Sequence, residues 1–219
     1  MDESEGRAAD EVGYRTISGE AQGQIEIKRS VFLARVVRAE SEEAARDVID
    51  QARKEHPKAR HHCSAMILGP DARLERSNDD GEPAGTAGAP MLEVLRGAQV
   101  SDVVAVVTRW FGGTLLGAGG LVRAYSEALQ TAVGQARIVR RELRIRAELD
   151  LPHADAGRVE NELRSRQVHV LGAEYAAEVT LQLAVAPEGE GALAALLGEL
   201  TGGRPDLRRT GQSWVDVPV

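Results

Sequence analysis

The stretch that decides the fold is Val103-Val104-Ala105-Val106-Val107-Thr108-Arg109-Trp110-Phe111-Gly112-Gly113, which is followed by further glycines as far as Gly120. Its leading run of aliphatic residues predicts a short strand that is buried on both faces. The glycines predict a loop over Gly112–Gly120, and the apolar residues after it recur at helical spacing, which predicts a long helix. The predicted buried face of that helix consists of Leu121, Val122, Tyr125, Leu129, Ala132 and Val133.

Shorter elements precede this strand, loop and helix. Ser41 is a typical helix N-cap, and the apolar residues after it recur at helical spacing until Pro57 ends the helix. Residues Ser77–Gly88 are small and acidic and predict a loop, whereas Pro90 suits the first turn of a second helix that ends near Gly97. Strands are predicted at Tyr14–Ser18, Gln24–Lys28, Val31–Arg38, His61–Leu68 and Ala72–Arg76.

The pattern of the chain changes near Arg140. Apolar and charged residues alternate strictly over 142–151, which predicts a strand with one buried and one solvated face. The later segments complete the order βαββαβ, which is that of a ferredoxin-like α+β unit. We therefore predict a disordered acidic tail at residues 1–12, an N-terminal domain at 13–140 and a C-terminal domain at 141–219.

Composition excludes several classes of protein. The chain has 219 residues, of which 42% are hydrophobic and 28% charged, as is typical of a globular protein. No apolar run approaches the ~20 residues of a membrane span, and the acidic start does not resemble a secretory signal. The one cysteine, Cys63, rules out an internal disulfide, and the net charge of −7 lacks the basic character of most nucleic-acid binders. We expect a cytoplasmic protein with no membrane contact and no cofactor.

The first candidate site is the acidic loop Asp79-Asp80-Gly81-Glu82. Carboxylates packed so closely repel one another unless a positive group or water lies nearby. Hard cations such as Mg²⁺ bind such groups, so the loop is either a cation site or an acidic surface turn in which Asp and Gly are chosen for geometry. The spacing leaves both interpretations open, and we predict no metal.

The second candidate site is the glycine loop with Arg109 before it and Arg123 after it. Free backbone N–H groups at a helix N-terminus can bind an anion, and the arginines could add charge-assisted hydrogen bonds. The pattern is neither a Walker A loop nor G-x-G-x-x-G. The alternative is a close-packed connection whose arginines pair with the acidic loop. The glycines of this candidate site are Gly112, Gly113, Gly117, Gly119 and Gly120.

Other candidates for chemistry are weaker. His61, His62 and Cys63 are adjacent on a predicted strand, so only His61 and Cys63 share a face. No third group orients a Cys–His pair there, and a buried structural cysteine explains Cys63. The arginines between Arg137 and Arg146 could touch a phosphate backbone, but Arg144 and Arg146 share their predicted strand face with acidic residues. The second half also holds too few aromatic residues for base stacking. We therefore predict no catalytic residues.

Two long motifs then identify a family resemblance. Asp79-Asp80-Gly81-Glu82-Pro83 with Gly85-Thr86-Ala87-Gly88, followed by the run from Val107 to Tyr125, resembles the bacterial, YigZ-like (UPF0029) branch of the IMPACT family. His56-Pro57-Lys58-Ala59 resembles the family's segment ahead of the acidic loop. The resemblance covers about residues 25–137 closely and the remainder more weakly.

The resemblance implies a fold and a role. It implies an N-terminal domain like domain 2 of ribosomal protein S5 and a ferredoxin-like C-terminal domain like the last domain of elongation factor G. It also implies regulation of translation, because eukaryotic relatives bind the ribosome-associated activator of the amino-acid-starvation kinase, a pathway that bacteria lack. Our first hypothesis is a non-enzymatic binding protein with a translation-associated protein or ribosomal partner, engaged by both candidate loops. The alternatives are a Mg-dependent enzyme that binds nucleotide or phosphate, and an RNA-binding protein that uses the C-terminal domain or the interdomain cleft.

Overall fold

The computed structural model describes residues 13–203 and 206–218. The chain divides into two compact units, one of which contains Gly13–Arg140 and the other Arg141–Val217. The predicted acidic tail at residues 1–12 lies outside the described residues. Both units combine a sheet with helices, so the predicted α+β class is confirmed.

The N-terminal unit is built on an antiparallel sheet in the order β2-β3-β6-β4-β5. Strand β6 lies at its centre, paired with β3 on one side and β4 on the other. The strands are β1 (Gly13–Ile17), β2 (Glu20–Ile27), β3 (Ser30–Arg38), β4 (His61–Leu68), β5 (Leu74–Asn78) and β6 (Val103–Trp110). The helices are α1 (Glu42–Glu55), α2 (Gly88–Ala98) and α3 (Ala118–Gln135).

Helices cover both faces of this sheet, which explains the unbroken apolar run of β6. Helix α1 packs on one face, where Ala45 meets Met66 and Val104. Helices α2 and α3 cover the other face with Met91, Leu95, Tyr125 and their neighbours. A strand covered on both sides can bury every residue, and Val103–Val107 are buried as predicted.

Several predicted boundaries need correction. Helix α3 begins at Ala118, so Gly119 and Gly120 form its first turn instead of ending the loop. A helix can begin there because free N–H groups in the first turn need no side chain. Val122, predicted on the buried face, is 36% exposed, because the helix buries the stripe through Leu121 and Tyr125. The loop predicted over Ser77–Gly88 also begins later than predicted, since strand β5 runs to Asn78.

The C-terminal unit has the predicted ferredoxin-like order. Its sheet follows β10-β7-β9-β8, and the apolar faces of both helices pack against one side of it. Strand β7 begins inside the first unit and continues into the second. The elements are β7 (Ile138–Leu151), α4 (His153–Ser165), β8 (His169–Tyr175), β9 (Val179–Val185), a short 3-10 turn, α5 (Glu190–Thr201) and β10 (Leu207–Pro218). Among the described residues, no helix has the length and apolarity that a bilayer crossing requires.

Candidate functional site

The carboxylate of Asp79 closes the acidic loop onto helix α2. It accepts hydrogen bonds from the backbone N–H groups of Gly85 at 2.7 Å, Ala87 at 3.0 Å and Gly88 at 2.8 Å. Burial alone would raise the pKa of Asp79, but these three N–H groups together hold it below its ordinary value. Asp79 therefore satisfies the N-terminus of α2, which has no other side-chain cap.

Asp80 ties the acidic loop to strand β4 and helix α1. One carboxylate oxygen accepts the His62 backbone N–H at 2.7 Å, and the other accepts Nη2 of Arg53 at 2.7 Å. The carbonyl oxygen of Asp80 lies 2.9 Å from Nδ1 of His61. Burial would raise the pKa of Asp80, but the His62 N–H and the Arg53 guanidinium hold it below its usual value. Both aspartates are thus committed to internal contacts.

Glu82 forms a buried ion pair with Arg109 of β6. Nη1 of Arg109 donates to Oε1 of Glu82 at 2.5 Å, and the two side chains are only 6% and 4% exposed. The hydroxyl of Tyr125, on α3, donates to the same oxygen at 2.7 Å. The Arg109 guanidinium also lies over the Phe32 ring, at 5.3 Å from its centroid. The pair therefore joins the acidic loop to both β6 and α3.

The hydroxyl of Tyr125 extends this network to Cys63. The sulfur of Cys63 lies 3.3 Å from the Tyr125 hydroxyl and 3.0 Å from the Asp79 carbonyl oxygen. Burial raises the pKa of the Cys63 thiol to about 12, although the hydrogen bond with Tyr125 opposes that shift. Burial likewise raises the pKa of Tyr125 far above its ordinary value. Neither group is an available nucleophile at neutral pH.

The glycine loop packs its first glycine against the β2–β3 hairpin. A Cβ at Gly112 would lie 2.1 Å from the Arg29 carbonyl carbon, and the N–H of Gly112 donates to Oγ of Ser30 at 3.0 Å. Gly113 and Gly117 have φ values of +85° and +72°, which favour glycine. Two apolar side chains are left uncovered here: Leu115, between these glycines, is 83% exposed, and Phe111, just before the loop, is 42% exposed.

The acidic loop and the glycine loop meet in a pocket of about 360 Å³, which we call the loop pocket. The ion pair contributes Glu82 and Arg109, and the start of α3 contributes its N-cap, Gly117, and its first residue, Ala118. The complete lining is Arg60, His61, Glu82, Pro83, Arg109, Phe111, Leu115, Leu116, Gly117, Ala118 and Leu121. The pocket is mainly apolar with a few convergent polar groups, as is usual for binding sites.

A larger groove of about 750 Å³ runs between α2 and α3. It is lined largely by small residues such as Ala89, Gly97 and Gly134, and Glu93 is the one charged side chain among the described residues that line it. We favour the loop pocket as the functional site because it combines a buried ion pair with the N-terminus of a long helix.

The predicted site residues divide into two groups. Glu82, Arg109 and Gly117 line the loop pocket, whereas Asp79 and Asp80 lie behind it as internal supports. Arg123 is exposed and lies two positions from the buried Tyr125, which places it on the solvent side of α3, away from Glu82. Within the described residues, no group of three or more His, Cys, Asp or Glu side chains is placed to hold a metal ion.

Two contributors to the site were not predicted from the sequence. The sequence predicts Tyr125 only as part of the helix core, although its hydroxyl reaches Glu82. The one signal for this role is a hydroxyl group on a predicted buried face, where it needs a hydrogen-bond partner. Arg53 was not singled out, and nothing local in the sequence links it to Asp80, 27 residues away.

Both units match known domains. Residues 28–133 match the Impact N-terminal domain, and residues 149–204 match a domain of unknown function, DUF1949. The chain is 35% identical over 206 residues to the IMPACT family member YvyE of Bacillus subtilis. That alignment covers 94% of this chain and 95% of YvyE. It is 36% identical over 184 residues to the IMPACT family member YigZ of Escherichia coli, covering 83% of this chain and 90% of that protein.

A solved structure agrees with these matches. A crystal structure of a hypothetical protein superposes with a TM-score of 0.61 at 33% identity, covering 90% of this chain and 97% of that one. The chain therefore belongs to the IMPACT family. The family resemblance drawn from the two loop motifs is confirmed.

Proposed function

We propose that this protein is a non-enzymatic binding protein that regulates translation, and that the loop pocket and its rim engage a protein or ribosomal partner. The observation that carries the proposal is the contrast between the two loops. The acidic loop directs Asp79, Asp80 and Glu82 into internal contacts, while the glycine loop holds Phe111 and Leu115 in solvent. Exposed apolar groups beside a pocket are typical of interaction sites.

The role in translation comes from the family resemblance, which implies such a role. The binding mode comes from the geometry of the pocket. Cys63 and Tyr125 belong to the Glu82 network, and burial raises the pKa of each far from neutrality, so neither of them supplies the nucleophile or base that a catalytic mechanism needs.

The two alternatives have less support. A Mg-dependent enzyme needs carboxylates free to bind the ion, yet Asp79 and Asp80 already accept hydrogen bonds on both carboxylate oxygens. An RNA-binding sheet needs free basic groups, yet Arg208 pairs with Asp150 and Arg144 pairs with Glu142. Both sets of contacts count against these alternatives.

Co-sedimentation with purified bacterial ribosomes, with and without the post-ribosomal factor fraction, tests the proposal. The wild-type chain should pellet, and Leu115→Asp should lower its affinity at least about tenfold, since an exposed apolar anchor loses about 1.4 kcal/mol or more. The matched control is Leu171→Asp, which puts the same charge on an exposed leucine of strand β8. The proposal would be refuted if the wild-type chain pelleted neither with ribosomes alone nor with ribosomes and the factor fraction.

A further inference from the structure

We propose that one end of the N-terminal sheet binds a single-stranded stretch of RNA, so that the protein contacts its ribosomal partner through RNA. We call this end the sheet-end surface, and its side chains are Lys28, Arg29, Lys58, Arg60 and Phe111. This inference rests on the proposed function, because it gives the chemistry of the partner at the rim of the loop pocket, which Arg60 and Phe111 line.

The β2–β3 turn forms one side of the sheet-end surface. Its two central residues are Lys28 and Arg29, and both are exposed. The turn lies beside the end of β6, since Val31 pairs with Trp110. A Cβ at Gly113 would lie 3.8 Å from Nη2 of Arg29, so this guanidinium lies next to the glycine loop.

The segment before β4 forms the other side. His61, the first residue of β4, pairs with Arg109 near the end of β6. The exposed Lys58 and Arg60 immediately precede β4, and Arg60 lines the loop pocket together with Phe111. Strands β3 and β4 flank β6, so the two pairs of cations are separated by about 10 Å, which is two strand spacings.

The four cations of the sheet-end surface are available to bind an anion. None of them forms an ion pair with any residue that the structure describes. Glu26 is an exposed carboxylate close to the turn, whereas Glu55, at the end of α1, lies 3.5 Å from Arg35. The exposed Lys54, in the last turn of α1, adds a further positive charge. The phosphates of a nucleic acid strand would supply the negative charges that this surface lacks.

The backbone of the β2–β3 turn gives an independent reason to assign a role to its cations. Lys28 and Arg29 have φ values of +48° and +65°, as both central residues of a two-residue type I′ turn require. This turn favours Asn-Gly, because most residues with a Cβ are strained in the left-handed region. Local folding therefore disfavours Lys and Arg at these positions, whereas binding of an anionic strand favours them.

Phe111 gives the surface a ring on which a base can stack. Its side chain is 42% exposed and lies between the two pairs of cations, at the end of β6. Aromatic side chains stack on unpaired bases while neighbouring cations bind the phosphates. The bases of a duplex are already stacked on one another, so this combination favours a single strand.

Fluorescence anisotropy of a labelled oligouridylate of about twelve nucleotides, titrated with the full chain at several salt concentrations, tests the inference. Four phosphate contacts predict that the logarithm of the association constant falls with the logarithm of the salt concentration with a slope of about −3. An RNA duplex of the same length should bind at least about fivefold more weakly, because it offers no base to Phe111. Equal or tighter binding of the duplex would overturn the inference, as would tighter binding of the DNA oligonucleotide of the same sequence.

The double variant Lys28→Asn with Arg29→Gly separates charge from folding. It removes two of the four cations and installs the dipeptide that the type I′ turn favours, so the fold should be at least as stable as wild type. The salt slope should fall to about −1.5, and the affinity at about 0.1 M salt should fall at least about tenfold. Unchanged binding in this variant would overturn the inference.

The matched control is the double variant Arg15→Gln with Arg73→Gln, which removes two exposed arginines at the opposite end of the same sheet. The carbonyl oxygen of Arg15 accepts the N–H of Ser101, just before β6 begins, and Arg73 lies in the β4–β5 turn. This control should change neither the salt slope nor the affinity for oligouridylate. A loss equal to that of the turn variant would overturn the inference, because the attraction would then be that of any exposed cation.

Phe111→Leu tests the stacking contact separately. It keeps an apolar side chain but removes the ring, so it should weaken oligouridylate binding at least about fivefold while the salt slope stays the same. Tyr175→Leu, which removes the exposed ring of β8, is the matched control and should bind like wild type. Unchanged affinity in Phe111→Leu would overturn the assignment of a single strand.

The outcomes also separate this inference from the proposed function. If oligouridylate does not bind while Leu115→Asp still reduces pelleting with ribosomes, the RNA inference is wrong, the contact is with protein, and the proposed function stands. If oligouridylate binds through the turn cations and the wild-type chain does not pellet with ribosomes or factors, the sheet-end surface binds RNA and the proposed function is wrong.

Discussion

Replacing Glu82 by glutamine tests whether the buried ion pair holds the two candidate loops together. The substitution keeps the shape of the side chain but removes the negative charge, which leaves Arg109 buried without a counter-charge. Because both side chains are at most 6% exposed, water screens the loss very little.

The expected loss of stability follows from these contacts. Breaking a buried pair by removing one partner costs about 3–5 kcal/mol. Glutamine can still accept hydrogen bonds from Arg109 and Tyr125, so it recovers about 1 kcal/mol for a neutral hydrogen bond. We therefore expect the free energy of unfolding of the N-terminal unit to fall by about 3 kcal/mol.

Urea unfolding followed by tryptophan fluorescence measures this change. The chain has two tryptophans, and Trp214→Phe leaves Trp110, which lies at the end of β6 next to the loop pocket, as the probe of the N-terminal unit. The double variant Glu82→Gln with Arg109→Met should regain part of the loss, since it removes the unpaired charge as well.

Glu20→Gln is the matched control, because Glu20 pairs with Arg35 at 2.6 Å but is 49% exposed. We expect it to cost no more than about 1 kcal/mol. A loss for Glu82→Gln that is no larger than the loss for Glu20→Gln would refute the role assigned to the ion pair. A double variant less stable than Glu82→Gln alone would show that the charge of Arg109 is not the cause.

Three further predictions concern the surroundings of the site. Gly112→Ala should destabilise the N-terminal unit by about 3 kcal/mol in the same urea assay, because its Cβ would meet the Arg29 backbone, whereas Gly119→Ala, with nothing within 4 Å of the added Cβ, should not. Asp79→Asn should lower the free energy of unfolding by about 2 kcal/mol at pH 7. Because folding lowers the pKa of Asp79, its contribution to the free energy of unfolding is complete above its ordinary pKa of 3.8 and is lost as the pH falls below that value. The acid-unfolding curves of wild type and variant should therefore converge. A difference in stability that stays constant with pH would contradict this. The Cys63 thiol, with its pKa raised to about 12, should react with a disulfide reagent at pH 8 only at the rate at which the unit opens, and reaction as fast as in urea would show that it is not buried.

Much of the fold could be predicted because its strongest signals are local. The five apolar residues at the start of β6 can be buried only if both faces of the strand are covered. Helix α1 covers one face, and helices α2 and α3 cover the other. The Ser41 side chain accepts the N–H of Ala44, as an N-cap does. The start of α3 was predicted wrongly because glycine has low helix propensity, although the free first-turn N–H groups permit it there.

The candidate site could be predicted only in part, because its pairings cross the sheet. The sequence predicted two charged loops and left open whether Arg109 would face a ligand or an internal acid, and the structure pairs it with Glu82. Composition cannot decide what Arg109 pairs with, since its partner depends on which residues of β6 and α3 face the same side of the sheet. Arg123 illustrates the limit: it is close to the glycine loop in sequence, yet helical geometry turns it to solvent.

The internal hydrogen bonds and ion pairs of the acidic loop favour the glycine loop as the contact surface. A carboxylate that caps a helix or neutralises a buried arginine cannot also bind a partner without losing those contacts, which would cost several kcal/mol. In the glycine loop, Leu115 is 83% exposed, so it can contact a partner without disturbing the core. Variants of Asp79 or Asp80 should therefore abolish binding only as far as they unfold the N-terminal unit. Variants of Leu115 should lose binding while the urea midpoint stays unchanged, and a shared loss of both properties in every variant would contradict this division.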